Sequence, residues 1–463
     1  MMIRKNCVLL LLGGLSTSFV LNAEEKTLDI ELTGEKVNTP DFVELPERVQ
    51  EVEEKKTGFE FLSALLEHPE VSRAELDVER WKREKKIALA PWLPNLSASF
   101  QWEDATKYNH PTLGDQDQSR SVTRASVDQL LFDFGEGYFQ YQVAAEEWKG
   151  KKAELFATRD RVIFEGVGSV LQALLQEKLL DQAIASEENF LKQKELEEQK
   201  VKGGQGFSTD VLQVEVQHLG AVAKVHQTRL DLNSAREKVS RWWGESAVLA
   251  ETKLLEKLEE LMSKTSVPSR EGMADWIGGA PAILENRHAQ QAMQSRKKAM
   301  MGGRWGPKVS LRFLTQRGEE LGGVGSYDRE ERVSVQAELP LNLGGTSIDE
   351  VASLGVQLEA LAEQGRVLER EIREGLQVAL LTFRAKEELV STRRDQMDVA
   401  QRYLEGAEKE RLMGRRSLID VLNGELLRLQ AESEMERARI DRVLAWSRLF
   451  QLGGRLGQIL SLK

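Results

Sequence analysis

The chain has 463 residues, a formal net charge of -11 and a sequence pI of about 5.4. This acidic balance argues against a nucleic-acid-binding protein, because such proteins present a basic face to the phosphate backbone. Charged residues make up 30% of the chain, hydrophobic residues 41%, and only 10 prolines occur, a composition that suits long solvated helices.

The N-terminus has the pattern of a secretory signal peptide. Arg4 and Lys5 precede a short apolar run, and Leu21–Ala23 offers a small residue for cleavage. A membrane anchor is the less favoured alternative, because the run is short and rich in Gly and Ser. We therefore predict a signal peptide over residues 1–23 and a flexible charged lead-in over residues 24–58.

Organised sequence begins near Phe59 with a helical pattern that stops at PWLP, because proline removes a backbone donor and clashes with the preceding turn. The next residues, NLSASFQW, alternate between apolar and polar. A second alternating run ends in LLFDFGEG, with Leu130, Phe132 and Phe134 in phase. This period of two predicts a β-hairpin over residues 94–134.

A proline-free segment with helical apolar spacing follows at residues 136–202. A helix of this length spans roughly 100 Å, which indicates a coiled-coil rod. A tip at residues 203–209 interrupts it, and a return helix is predicted over residues 210–243. These elements make repeat 1, residues 59–244, and an irregular linker follows at residues 245–280.

The same order recurs in repeat 2, residues 281–452, before a C-terminal tail at residues 453–463. Its predicted parts are a helix, a hairpin over 308–343, a long helix over 346–412, a tip at 413–417 and a return helix over 418–452. The aligned landmarks are Pro69 with Pro281, Pro94 with Pro307, Gly135 with Gly344, Gly204 with Gly414, and Asp210 with Asp420. The chain is therefore predicted to contain two copies of one unit.

The hairpins suit an outer membrane, because each strand has roughly 9–12 alternating residues. Aromatic residues cluster at the strand ends, and Tyr and Trp favour membrane–water boundaries. The predicted interface residues are Trp92, Trp102, Phe132, Phe134 and Tyr138. A soluble hairpin packed on a helix is the alternative. Four strands cannot enclose a lumen and open edges are not tolerated in lipid, so the membrane interpretation requires several protomers.

This plan resembles the TolC-like outer-membrane efflux proteins, or outer membrane factors. PWLPNLSASF and GPKVSLRF, LLFDFG and LPLNLG, and the paired G-x5-D-V-L tips carry the match over residues 59–452. The resemblance implies a mainly α fold with membrane β: long coiled-coil helices in a periplasmic α-barrel, and four strands per protomer in a trimeric 12-stranded β-barrel. It also implies an equatorial belt from residues 59–66, 245–280 and the C-terminus.

The implied function is the outer-membrane exit duct of a tripartite efflux or type I secretion system. Such a duct is a passive homotrimer that extends into the periplasm. It is coupled to an inner-membrane pump of RND, ABC or MFS type through a periplasmic adaptor, and it uses no cofactor and no nucleic acid. The alternatives are a periplasmic adaptor and a structural coiled-coil envelope protein. Adaptors have one helical hairpin and a rod needs no strands, so the doubled strand pairs argue against both.

The resemblance places both tips at the periplasmic mouth, where adaptors dock and the pore opens. The implied tip, gate and docking residues are Gly204, Thr209, Asp210, Gly414, Arg416, Asp420 and Asn423. The glycines allow a left-handed turn, and Ser208 or Thr209, with Ser417, are expected to cap the return helices. Each tip aspartate suits the first turn of its helix.

The resemblance matches Arg416 to the arginine that closes the mouth in the family's prototype, and its implied partners across the mouth are Thr209 and Asp210. Asn423 stands where some members carry an aspartate.

The chain has none of the motifs GxxxxGK[ST], HExxH or CxxC, so we predict no enzyme activity and no metal or cofactor site. GGVGS at residues 322–326 lacks the strand–turn–helix context of a nucleotide site. His218 and His226 are too far apart on one helix for the usual metal pair.

Overall fold

A computed structural model describes residues 60–110, 114–244, 254–269, 272–321, 329–340 and 345–460. The described residues do not include the predicted signal peptide, the lead-in, residues 245–253 of the linker, residues 322–326, or residues 341–344 of the second hairpin.

The first half begins with a 3-10 helix, Glu60–Glu67. Pro69 is the first residue of the next helix, where its missing N–H would have no partner in any case. The elements that follow are α1 (Pro69–Ile87), β1 (Asn95–His110), β2 (Gly114–Phe132), α2 (Glu136–Lys202) and α3 (Ser208–Trp243).

Two short helices, α4 (Leu254–Lys264) and α5 (Met273–Gly279), lie between the halves. The second half contains α6 (Pro281–Trp305), β3 (Lys308–Leu321), β4 (Glu330–Glu338), α7 (Thr346–Leu412), α8 (Leu418–Leu452) and α9 (Leu456–Ile459). The predicted fold class, long helices with four strands in a doubled order, is confirmed. Within the described residues, no helix is long and apolar enough to cross a bilayer.

The long helices α2 and α7 each contain 67 residues and each follows a left-handed glycine. Gly135 has a φ of 83° and Gly345 a φ of 75°. Gly345 is therefore the conformational equivalent of Gly135, and the predicted match of Gly135 to Gly344 is one residue out. From this glycine through the return helix, equivalent residues of the two repeats are separated by a constant number of positions. The separation changes only earlier, in the first helix and the hairpin.

All four strands form one antiparallel sheet in the order β1-β2-β3-β4. The central pair joins the halves, because β2 of repeat 1 lies beside β3 of repeat 2. The outer strands β1 and β4 are the edges of the sheet within this chain.

The largest hydrophobic core lies at the middle of the long helices, where the short elements pack against α2, α3, α7 and α8. Leu62 of the 3-10 helix, Leu258 of α4, Trp276 of α5 and Leu456 of α9 all belong to it. Side chains from these segments bury apolar surface that the long helices could not cover by themselves.

A buried carboxylate holds the C-terminal helix to this core. Asp160 of α2 accepts hydrogen bonds from the backbone N–H groups of Leu456, at 3.2 Å, and Gly457, at 2.8 Å. Burial raises the pKa of Asp160 to about 6, although these two N–H groups act in the opposite direction. The role of Asp160 was not evident in the sequence, because its partners lie 296 and 297 positions away.

Candidate functional site: a two-faced sheet and paired tips

One face of the sheet is apolar and exposed. The strand register places Leu96, Val127, Phe313 and Val333 in a single row across all four strands. Directly opposed residues in a β-sheet point to the same face. Leu96 is 73% exposed and Val333 is 67% exposed, so no described part of the chain covers the ends of this row.

The opposite face is polar and hydrogen-bonded. Arg124 donates to the amide oxygens of Gln316 and Gln101, each at 3.1 Å. The hydroxyls of Ser97 and Ser126 lie 2.8 Å apart. A sheet with one apolar and one polar face is typical of a strand set between lipid and a water-filled lumen.

A β-bulge changes the phase at the end of β2. Leu130 pairs with Ser310, whereas Phe132 pairs with Val309, and the register shifts between them. Leu130 therefore lies on the polar face and Phe132 on the apolar face. The prediction that these two residues are in phase is wrong, because the extra residue of a bulge breaks the period of two.

The predicted interface aromatics lie in two groups along the apolar face, but Trp102 is the eighth of the 16 residues of β1 and so does not lie at a strand end. Trp102 is six residues along β1 from Leu96, or about 20 Å at the rise of a strand. Phe132 and Phe134 lie at the other end, with their ring centroids 6.2 Å apart. Trp92 and Tyr138 flank the same end, before β1 and after the start of α2.

The turn from β2 into α2 also connects the two repeats. Phe134 has a φ of 54°, and the Asp133 carboxylate accepts from the N–H groups of Gly135 at 3.0 Å and Gly137 at 2.7 Å. A Cβ on Gly306 of repeat 2 would lie 2.2 Å from the Cβ of Phe134. Glycine at 306 is therefore required for the close approach of the two repeats.

Both tips have the same backbone turn. Gly204 has a φ of 74° and Gly414 a φ of 72°, the left-handed region that favours glycine. In each tip, the glycine N–H and the next N–H bond back to carbonyls of the last helical turn, which is the Schellman motif. The two tips lie side by side, because Phe190, Val214 and Leu422 share one small core.

The helix caps differ between the tips. Ser417 is the N-cap of α8, and it forms a capping box with Asp420. The hydrogen bond from the Ser417 hydroxyl lowers the pKa of Asp420 below its ordinary value. In the first tip Phe207 is the N-cap and provides no side-chain bond. The prediction that Ser208 or Thr209 caps the first return helix is wrong, because both lie within its first turn.

Arg416 is held by its own helical hairpin. Its Nε is 2.6 Å from the Glu410 carboxylate and its Nη1 donates to the Tyr403 hydroxyl at 3.1 Å. These contacts raise the pKa of Arg416, with the Glu410 bond the largest cause. Within one chain, the partners of Arg416 are Glu410 and Tyr403. Its implied partners across the mouth, Thr209 and Asp210, stay a prediction.

The remaining predicted tip residues have less contact. Thr209 and Asn423 are exposed and Asp210 is half-buried. Over the described parts of the chain, none of these three side chains makes a hydrogen bond or ion pair. They are therefore available at the surface of the tips.

Two buried carboxylates near the tips were not predicted from the sequence. Glu197 of α2 is 4% exposed and pairs with Arg411 of α7 and, at 2.9 Å, with Lys200. Glu425 of α8 is also buried and accepts from Arg428 and from Asn189 of α2. The pairs with Arg411 and Asn189 join the two helical hairpins of the chain. Only the tertiary structure brings these partners together.

No protein-family model matches the chain. The alkaline protease secretion protein AprF of Pseudomonas aeruginosa is 24% identical over 413 residues, 83% of this chain and 82% of AprF. The outer membrane efflux protein BepC of Brucella suis is 24% identical over 256 residues, 55% of this chain and 54% of BepC. The chain therefore spans about half the length of BepC in that alignment.

The crystal structure of CusC, described in connection with folding and transmembrane channel formation, superposes with a TM-score of 0.74 at 14% identity. The superposition covers 85% of this chain and 91% of CusC. The chain has the fold of the TolC-like outer-membrane channels. No group of His, Cys, Asp and Glu able to hold a metal ion occurs among the described residues.

Proposed function

We propose that the chain is the outer-membrane exit duct of a tripartite efflux or type I secretion system. It acts as a passive conduit and not as an enzyme. It joins an inner-membrane pump through a periplasmic adaptor, and three copies pool their strands into a 12-stranded barrel. The observation that carries the proposal is the two-faced sheet, which exposes an apolar row across four strands that one chain cannot close.

Contact with lipid would account for the exposed apolar row of the sheet, and oligomerisation would account for its open edges. A sheet edge in hydrocarbon leaves unpaired N–H and C=O groups, each costing several kcal/mol. Edge strands β1 and β4 of neighbouring protomers can pair and remove both edges. The polar face, with Arg124 and Gln316, then lines the lumen.

Membrane assembly tests this proposal with a matched pair of substitutions on β1. Phe100 faces the apolar side and Ser99 the polar side. We expect Phe100→Arg to abolish assembly, because arginine on the lipid face costs about 2–4 kcal/mol near the bilayer midplane. Ser99→Arg should assemble as the wild type does. Assembly is measured as heat-resistant oligomer in outer-membrane fractions, and a wild-type monomer in the soluble periplasm would overturn the proposal.

The tips are proposed as the gate and the adaptor-docking end. Gly204, Thr209, Asp210, Gly414, Arg416, Asp420 and Asn423 are its proposed residues. The Arg416–Glu410–Tyr403 contacts hold the second tip in one arrangement, and exposed Thr209 and Asn423, with half-buried Asp210, remain available to neighbouring chains.

Conductance in planar bilayers tests the gate. Arg416→Ser removes both contacts of the guanidinium, so we expect the conductance of the closed channel to rise. Arg415→Ser is the matched control, since Arg415 is exposed and forms no ion pair among the described residues. Equal conductance in wild type and Arg416→Ser would argue against a gate role for Arg416.

A further inference from the structure

The long helix of repeat 1 has neighbours from both repeats, whereas its equivalent in repeat 2 has an exposed side. Besides α1 and α3 of its own repeat, α2 packs against α6 and α8 of repeat 2. The equivalent helix α7 packs against α6 and α8 of its own repeat. Val356, Val378 and Glu388 of α7 are exposed. The contacts of α2 with repeat 2 therefore indicate what can cover these residues.

Equivalent positions follow from the separation of the two repeats. Gly345 follows Gly135 by 210 positions, and the long and return helices keep this separation. Pro281 follows Pro69 by 212 positions, and each is the first residue of its helix. Each contact of α2 with α6 or α8 thus defines a pair of residues on α7 and on α1 or α3. If these faces meet in an assembly, the paired residues should be chemically compatible.

The first pair lies in the part of the long helices near the sheet. The Glu146 carboxylate of α2 is 2.7 Å from Nδ1 of His288 on α6. The equivalent residues are Val356 of α7 and Leu76 of α1. Val356 is 66% exposed and Leu76 is 71% exposed. A polar contact within the chain thus corresponds to two exposed apolar side chains, which contact between them would remove from water.

The second pair exchanges a small and a large residue. A Cβ on Gly168 of α2 would lie 3.6 Å from Cδ2 of Leu444 on α8. The equivalent residues are Val378 of α7 and Ser234 of α3, and both are exposed. The larger side chain is now on the long helix and the smaller one on the return helix. Such an exchange keeps the space between two packed helices filled.

The third pair exchanges charge. Nζ of Lys178 on α2 is 2.9 Å from the Glu436 carboxylate of α8. The equivalent residues are Glu388 of α7 and His226 of α3, and both are exposed. The carboxylate is now on the long helix and the basic group on the return helix. An imidazole N–H can donate to a carboxylate, so the pair stays complementary.

The strand order supports the same neighbours. Within the chain β2 pairs with β3, and the helix after β2 packs against the helix before β3, which are α2 and α6. If β4 of one copy pairs with β1 of the next, the corresponding helices are α7 after β4 and α1 before β1. Edge pairing in the sheet therefore brings α7 beside α1 of the neighbouring copy.

We propose that α7 of one copy packs against α1 and α3 of the next copy, in the way that α2 packs against α6 and α8 within the chain. The contact pairs are Val356 with Leu76, Val378 with Ser234, and Glu388 with His226. The inference rests on the proposed function, since it requires the oligomer, and it assigns the faces and residues by which the copies meet. Two different faces of each copy are used, so the contact is head-to-tail and closes into a ring.

Thiol cross-linking in outer-membrane fractions tests the first pair. Cys7 is the only cysteine and lies in the predicted signal peptide, so the mature chain carries only introduced thiols. With Leu76→Cys and Val356→Cys in one chain, a short bismaleimide should produce covalent dimers and trimers. We expect about tenfold more than with Leu76→Cys and Val367→Cys, because thiols held in contact react at high effective concentration. Val367 is exposed on the same face of α7, about 16 Å farther along.

Charge exchange tests the third pair. His226→Glu would place two carboxylates together, so we expect the oligomer to dissociate about fivefold faster on heating in detergent. Adding Glu388→Lys should restore the wild-type rate, because the two changes together recreate the Lys178–Glu436 pair across the interface.

Glu387→Lys is the matched control for that rescue. Its equivalent in repeat 1, Glu177, pairs with Arg236 of α3 inside its own helical hairpin. Glu387 therefore does not belong to the proposed face, and Glu387→Lys should leave the His226→Glu oligomer dissociating rapidly.

The inference is overturned if the two cysteine pairs cross-link equally, or if His226→Glu dissociates at the wild-type rate. Equal rescue by Glu387→Lys and Glu388→Lys also counts against it. Fractionation of the same variants separates the two proposals. An outer-membrane oligomer that gives these results overturns only the assigned faces, whereas a wild-type soluble monomer overturns the proposed conduit and the interface with it.

Discussion

The two tips share a backbone and differ in their side chains. Both end a 67-residue helix with a Schellman turn at a left-handed glycine, Gly204 or Gly414. The second tip adds a capping box, Ser417 with Asp420, and an ion pair from Arg416. The first tip has Phe207 and Gly206 at the positions equivalent to Ser417 and Arg416.

This difference shows that a tip has two separate requirements: the chain must reverse direction, and the tip must be held in one arrangement. A helix that reverses direction needs a residue at positive φ and partners for its last carbonyls, and both tips meet this need in the same way. Holding the tip in one arrangement needs side-chain contacts, and these are concentrated in the second tip. We therefore expect backbone changes to affect the tips equally and side-chain changes to affect them unequally.

The largest effect is expected at the contact between the two hairpins. Arg411→Ala leaves the buried Glu197 with Lys200 as its remaining partner. Breaking a buried ion pair in this way costs about 3 kcal/mol. The measurement is the free energy of local opening at both tips, from native-state hydrogen exchange.

The combination Glu197→Gln with Arg411→Gln is the control for that change. It removes both charges, so the free energy of local opening should return most of the way to the wild-type value. If Arg411→Ala and the double variant open equally easily, the ion pair does not hold the hairpins together.

Substituting the tip glycines tests whether the turns are equivalent. Gly204→Ala and Gly414→Ala should each destabilise their own tip by about 1–2 kcal/mol, because a Cβ is unfavourable in the left-handed region. A Cβ added at either glycine would have no neighbouring atom within 4 Å, so the cost is conformational and equal. Hydrogen exchange that shows one tip losing much more than the other would contradict this equivalence.

Exchanging the caps should shift the tips in opposite directions. Ser417→Ala removes the N-cap of α8 and should cost about 1 kcal/mol. Phe207→Ser introduces a cap at α3 and should stabilise the first tip by a similar amount. The check is hydrogen exchange of the first-turn amides of each helix. A Ser417→Ala variant with unchanged exchange would show that the capping box adds nothing to the stability of the second tip.

The smallest effect is the pH dependence of the second tip. The pKa of Asp420 is lowered from 3.8, so its contribution to stability is present above that value and is lost as pH falls through the lower, folded-state pKa. First-turn amides of α8 should therefore lose protection only in strongly acidic solution, after correction for intrinsic exchange rates. Asp420→Asn should abolish this dependence, and a variant that retains it would assign the effect to another group.

Much of the fold followed from local rules that the sequence displays directly. Proline-free segments with helical apolar spacing predicted α2 and α7, because helix formation depends on residues three and four apart. Alternation predicted the strands, and paired glycines predicted the tips. The doubled order supported the TolC-like resemblance, which the architecture and the similar proteins confirm.

Contacts between distant segments were decided only by the tertiary structure. The β-bulge at Leu130 depends on the pairing of β2 with β3, which belong to different repeats. Arg411 meets Glu197, and Leu456 meets Asp160, because packing brings separate helices together. Periodicity specifies which face of an element is apolar, but the partner across that face depends on how all the elements pack at once.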